Sequence, residues 1–516
     1  MSKSEVGGDA LGAFGLSCLL IIAGTLADDA TVGLLLCPIV YLLLVFVMAR
    51  VPLRVSAMGL MASALLLQDA SDHCAADFQP PFAGLGAILF SHLNTLGRNL
   101  GFSWASFSGM DLLIVALAVI AVTRRGSSSD RQGFIQAPRP LVRLAHLALL
   151  STAWVWIFGM VRGGDFGKSL WQLNRVMYLP SLFLLFQLSL RGPKDLGGLL
   201  KVVLVSGIYK SLLAMYVVFT IVLPPDEATG STKPAWATSH QDSILFAVAF
   251  VAVLAIILEQ AVPKRQVKWY LMLLPILAGG TWANNRRMAW VQIALVFLTV
   301  YLVSDSKNAV KRKINRALYF ISPAALLYVV VGWNYGGMGR LFKPVRMLRS
   351  IIDPSTDPST LWRELENFNI IMTFRKNPIF GSGYGHPYDE IITMPAVDYD
   401  LEYFSPHNSL LGLWAYCGYV GFAGLTLLWV VGVYFAMRTY KGSTDRRLRA
   451  AALVCFGTVL IYLVQCWGDL GLGTWIGVFT VAPALAIAGK IAVAAGEWGA
   501  KKPNAVPATA TASSAK

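Results

Sequence analysis

Apolar runs of membrane length recur along almost the whole chain, and no other property limits its fold so severely. A helix needs roughly 17–25 apolar residues to cross a bilayer. Inside lipid, each backbone N–H and C=O must also find its partner within the spanning structure. Runs near 11–27, 31–49, 52–68, 107–123, 144–161, 176–190, 196–223, 243–262, 268–283, 288–303, 317–333, 408–437, 450–467 and 472–495 approach or meet that length. They predict an all-α polytopic membrane protein with about 12–14 transmembrane helices. Composition agrees: 56% of residues are hydrophobic, 14% are charged and the mean hydropathy is +0.59, whereas soluble domains carry roughly 25% charged residues.

The formal charge of +15 points to basic membrane loops rather than nucleic acid, because no basic-aromatic groove motif accompanies it. Arg50 and Arg54, Arg124 to Arg143, Arg191 to Lys201, Lys264 to Lys268, Lys307 to Arg316 and Arg438 to Arg449 make every even-numbered connection basic. The odd connections are acidic or mixed, as at Asp28-Asp29, Asp69 to Asp77 and Asp226-Glu227. The positive-inside rule then puts both termini in the cytoplasm. Glu5 and Asp9 spoil the basic start that a signal peptide needs, so the first run reads as a spanning helix. The semi-polar run 82–106, with His92, Asn94 and Arg98, reads as interfacial or re-entrant, and the tail from Lys501 as a disordered end. Six scattered cysteines, with no CxxC, suggest neither a structural disulfide nor a metal site.

One long polar stretch, Gly332 to Gly421, interrupts this pattern and falls on an odd, outward connection. Long loops are usually functional or disordered, and Trp362, Phe368, Phe374, Phe380, Tyr384 and Tyr388 are too many aromatics for a tether. The chain therefore divides into N-terminal spans 1–225, central spans 226–333, an outward loop 334–407, C-terminal spans 408–498 and a tail 499–516.

Candidate chemistry gathers on the outward side. Arg286 and Arg287 interrupt two apolar runs. They either anchor at the headgroups or bind an anion, for which the planar guanidinium fork is suited. Arg363 opens a helix-like run to Arg375, with Glu364 or Glu366 as a neutralising partner. Gly381-Ser382-Gly383-Tyr384-Gly385 is either a turn or a phosphate cradle built from backbone N–H groups. His407 follows Pro406 and precedes Asn408 and Ser409, which suit a helix cap. Imidazole also suits proton transfer near neutral pH. His240 and His386 are further outward histidines, and His240-Gln241-Asp242 leads into a span. Asp389, Glu390, Asp398, Asp400 and Glu402 are either a solvated face or contacts for sugar hydroxyls.

Taken together, these pieces resemble the O-antigen ligase and O-antigen polymerase superfamily of bacterial envelope glycosyltransferases. Three matches carry the resemblance over about residues 230–440: Arg287-Met288-Ala289 opening a span, Arg363 upstream of Asn377-Pro378-x-x-Gly381-x-Gly383-x-Gly385, and His407-Asn408-x-x-Leu411 followed by Gly418 and Gly421. Asn285-Arg286 stands where the family usually has Ser, and His240-Gln241-Asp242 stands where members have an Asn-rich segment. The resemblance implies a GT-C-type inner-membrane enzyme without cofactor or metal. Such an enzyme moves a glycan from undecaprenyl diphosphate to a sugar hydroxyl, of another lipid-linked repeat or of lipid A-core, at the periplasmic face. It implies a catalytic role for His407, Arg287 and Arg363, and substrate contacts for Arg286, Asn408, Gly383, Tyr384, His240 and Asp242. A chain-length regulator of the same pathway is an implied partner. The chain's length and additional N-terminal spans lean toward exopolysaccharide or O-antigen polymerase. A transporter or flippase for the same lipid-linked sugars is the rival. It predicts charges lining mid-span positions and a pseudo-repeat; only Lys210 offers the former, and no convincing repeat appears.

Overall fold

A computed structural model describes residues 3–26, 30–67, 82–101, 107–124, 133–222, 238–333, 358–394 and 402–499, together with 335, 342, 345, 346, 349 and 353. Cys74, Asp398, Asp400 and the expected disordered tail lie outside the described residues. Among the described residues, 81% are helical and none forms a strand.

The N-terminal helices are α1 (Lys3–Leu26), α2 (Ala30–Arg50) and α3 (Leu53–Leu66). The semi-polar run forms α4 (Ala83–Ala87), a π-helical turn (Ile88–His92) and α5 (Leu93–Asn99). Next come α6 (Gly109–Thr123), α7 (Arg139–Val161), α8 (Phe166–Ser189) and α9 (Leu196–Val217), the last extended by a π turn to Val222. The central helices are α10 (Asp242–Leu258), α11 (Lys264–Asn284), α12 (Arg287–Val303) and α13 (Ala309–Trp333). The polar stretch contributes α14 (Pro358–Lys376). It is followed by α15 (Ser409–Gly442), α16 (Arg446–Gly468) and α17 (Trp475–Ala494).

Each of the fourteen expected spans falls on a helix, and among the described residues six helices are long and apolar enough to cross a membrane on length and composition alone. The chain is an all-α polytopic membrane protein. Boundaries moved where polar residues join a helix. The run 176–190 is the end of a 24-residue helix, α8, that starts at Phe166 because the Asp165 carboxylate accepts the Lys168 N–H at 2.8 Å.

Burial sorts the bundle. α10 is apolar all round and buried along nearly its whole length, as is α17, so these two form the core. α13 is apolar too, but none of its spanning window is buried, which is tolerable only where lipid is the neighbour.

Contacts at the ends of the bundle respect the alternation of the loops. Arg54 pairs with Asp195 and Arg449 with Glu259, joining even connections to one another. Lys490 donates to the carbonyls of Ile135, Gln187 and Leu190 at the same basic end. His240 reaches Asp469, Arg287 reaches Thr360 and the Asp165 N–H reaches Gly385, joining odd connections at the other end. The candidate site therefore sits at the end opposite the basic loops.

Candidate active site

Helix α14 and the start of α15 build the first half of the site. Trp362 and Glu366 are four residues apart, so they share one face of α14. Between them they clasp His407. The Trp362 ring meets the imidazole edge to face, with centroids 4.9 Å apart and planes at 80°. Glu366, only 1% exposed, accepts the His407 backbone N–H at 3.1–3.2 Å and lies 3.4 Å from Nδ1. Asn408 caps α15 by accepting the Leu411 N–H at 3.1 Å, while its buried Nδ2 finds no acceptor among the described residues. Ser409 donates to the Asp469 carbonyl at 3.2 Å, tying this half to the next.

Asp469 ends α16 and organises the second half. Its Oδ2 lies 3.0 Å from His240 Nδ1, and its Oδ1 accepts the Leu470 N–H at 2.9 Å. Burial alone would raise this carboxyl. The hydrogen bond and charge of His240, with the charge of Arg363 and the Leu470 N–H, outweigh burial and hold it at about 2. Arg286 shares the neighbourhood: burial lowers its guanidinium to about 10, Asp469 opposes that shift and Arg363 adds to it. Arg286 therefore keeps its charge at neutral pH beside a second guanidinium. Like charges held together at a half-buried site form an anion receptor by default.

The local chain reversal that presents Arg286 comes from Asn285, which ends α11 in the left-handed region at φ 57°, where Asn is tolerated better than most residues. Asn284 is fully buried. It accepts from Thr238 at 3.3 Å and donates to Ser243 at 3.1 Å, fixing the turn against α10. Arg287 opens α12 and donates to Thr360 at 3.1 Å, so it reaches the first turn of α14.

The site is recessed. Lys210 of α9 pairs with Asp242, the first residue of α10, at 3.4 Å with both side chains fully buried. Beyond Lys210, α9 and its π turn continue to Val222, about 18 Å of further helix. His240, which precedes Asp242 by two residues, and its partner Asp469 thus lie beside this extension of α9.

The structure brings together His407, Asn408, Arg286, Arg363 and His240, with Arg287 bound to the base of α14. It does not bring in the other three residues expected at the substrate. Asp242 belongs to the buried ion pair. Gly383 and Tyr384 belong to a turn in which four N–H groups are already committed: that of Gly381 goes to Asn377, of Ser382 to Ala415, of Gly383 to Tyr416 and of Gly385 to Gln172, at 2.7–3.0 Å. Tyr384 is 1% exposed, with its hydroxyl 3.1 Å from Cys417 Sγ. These four donors serve packing of the turn against its neighbours.

Its glycines are needed for that packing. Gly418 breaks α15 at φ 57°, ψ −167°, leaving carbonyls and N–H groups without helical partners. Ser382 and Gly383 donate to Ala415 and Tyr416, while Tyr419 and Val420 donate to Pro378 and Ile379, at 2.9–3.1 Å. Four reciprocal hydrogen bonds therefore clip the turn into the helix break. Nearby, Asp389 pairs with Lys376 at 3.0 Å, and Glu390 accepts from the Met394 N–H and the Tyr403 hydroxyl. Both acids thus have partners within the protein.

Two central groups were missed from sequence. Asp469 stands on an odd connection at the end of a helix, a position to which the rarity of charge could have drawn attention. Glu366 was visible only as a partner for Arg363; the fold turns it to His407 instead.

Residues 271–426, which include Arg286, Arg287, Arg363, Glu366 and His407, match the O-antigen ligase family. No curated protein matches the chain. The family match supports glycan transfer of the ligase or polymerase type. The chain thus carries a stretch similar to the O-antigen ligase family over residues 271–426, in line with the resemblance to the O-antigen ligase and polymerase superfamily.

Proposed function

We propose that this protein transfers a glycan from an undecaprenyl diphosphate carrier to a sugar hydroxyl at the periplasmic face of a bacterial inner membrane. Of the two acceptor classes, a second lipid-linked repeat unit, hence polymerisation, suits a chain with so many spans outside the matched domain. The observation that carries the proposal is the convergence of the Glu366–His407 pair with Arg363, Arg286 and the His240–Asp469 pair in one recessed crevice.

The chemistry follows from charge. As the glycosidic bond breaks, the diphosphate gains negative charge, and fixed guanidiniums in a site shielded from water stabilise it. Arg286 and Arg363, close enough to feel each other's charge, supply it, with Arg287 bound to Thr360 at the start of α14. Glu366 holds Nδ1 of His407 as the donor, which leaves Nε2 as the basic nitrogen. Nε2 takes the acceptor hydroxyl's proton while that oxygen attacks the anomeric carbon from the side opposite the diphosphate, inverting its configuration. Asp469 holds His240 and balances the arginines, so that the receptor is cationic without being self-repelling.

The test is release of undecaprenyl diphosphate from a synthetic lipid-linked oligosaccharide by purified protein in detergent with EDTA. Wild type should turn over, and Arg287→Ala, Arg363→Ala and His407→Ala should each lose activity, His407→Ala by about 10²–10⁴-fold. Carrier binding without release, across a range of acceptors, would favour a transporter of the same lipid.

A further inference from the structure

At the basic end of the bundle, away from the His407 crevice, a cavity of about 750 Å³ opens among α3, α9, α10, α16 and α17. Its volume is in the range of small-molecule sites. The inner wall is apolar and made of compact side chains, among them Val248, Ala252, Val454 and Ala484. The one hydroxyl placed there by α17, Thr480, donates to Ile476 and Gly477 of its own helix at 2.8 Å and so makes no polar demand on an occupant.

The mouth has the opposite character. Lys194 and Arg447, both exposed, line it together with Gln266 and Asp445. The Asp445 carboxylate caps α16, where it accepts the Arg447 N–H at 2.7 Å, so the rim sets two cations against one carboxylate. Helices α9, α11 and α16 all begin around this rim, at Leu196, Lys264 and Arg446; α11, with no acidic residue at its start, adds a positive helix end to the two side chains. An apolar pit with a cationic rim, at membrane depth, fits an occupant with a hydrocarbon chain and an anionic head. A water-soluble anion would leave the inner wall dry and empty, and a zwitterionic lipid would match the rim less well.

We propose that this cavity is a binding site for one anionic glycerophospholipid, with an acyl chain against α10 and α16 and its phosphate held by Lys194 and Arg447. The test uses the full-length protein in nanodiscs containing phosphatidylglycerol or phosphatidylcholine with the same photoactivatable acyl chain, followed by mapping of the crosslinks. Phosphatidylglycerol should label the peptides carrying Val248 and Val454 several-fold more than phosphatidylcholine. Both lipids should label the exposed α13 residue Leu326 equally. Lys194→Gln with Arg447→Gln should remove the preference, and Ala252→Phe should reduce labelling of the cavity by either lipid. Equal labelling by the two lipids in wild type, or labelling of the cavity peptides no stronger than that of Leu326, would overturn the proposal. The wild-type comparison decides it even if the filled variant fails to fold.

Discussion

Glu366 does more for the site than its place in the sequence suggests. A buried carboxylate needs partners, and here they are the backbone N–H and the ring of His407. In the proposed mechanism the same contact that satisfies the acid also selects the imidazole tautomer, so stability and reactivity share it. As a positioning residue, Glu366 should affect turnover more than carrier binding. Glu366→Ala is expected to lower kcat at least tenfold, which is ~1.4 kcal/mol of barrier, with little change in KM. Glu366→Gln should recover part of the loss, because the amide oxygen still accepts the same bonds. A kcat unchanged in Glu366→Ala, in protein that melts like wild type, would remove the residue from the mechanism.

Two helix-level devices hold the crevice open. The first is the break in α15, where Gly418 occupies a backbone region essentially reserved for glycine. A Cβ there would also lie 2.4 Å from the Ile379 carbonyl carbon. Gly418→Ala should therefore cost about 1–3 kcal/mol, read as a lower melting temperature. Activity should fall with it, since His407 lies at the start of the same helix. The second is the Lys210–Asp242 pair that joins α9 to α10 beneath the site. Removing one partner leaves an uncompensated charge in the bundle. Lys210→Met is expected to destabilise the protein by about 3–5 kcal/mol, and Lys210→Met with Asp242→Leu to recover most of that. A single variant as stable as wild type in thermal or denaturant unfolding would contradict the pairing.

For the molecule as a whole, the alternation of basic and acidic connections predicts orientation. Lys376 should lie on the periplasmic side and Lys307 on the cytoplasmic side. Single cysteines placed at these positions, on a background lacking native cysteines, should react differently with an impermeant maleimide in intact spheroplasts. Position 376 should label, and position 307 should label only after the membrane is opened; the reverse pattern would invert the topology and the proposed site with it.

Much of this was readable in the chain. Each expected span became a helix, because hydrocarbon leaves the backbone no other way to pair its polar groups. Arg286, Arg363 and His407 stood out because polar residues are conspicuous against an apolar background. What the linear order could not show is partnership. Asp469 is 229 residues from His240, and Glu366 is 41 from His407; neither spacing is a signal along one chain. The glycine turn that looked like a phosphate cradle is a clip in a broken helix, since a free N–H and a committed one have the same sequence. Hydrophobic periodicity and charge decided which segments cross the membrane and which loops gather at each end. Only tertiary packing decided which polar groups meet, because contact depends on how helices far apart in sequence are brought side by side.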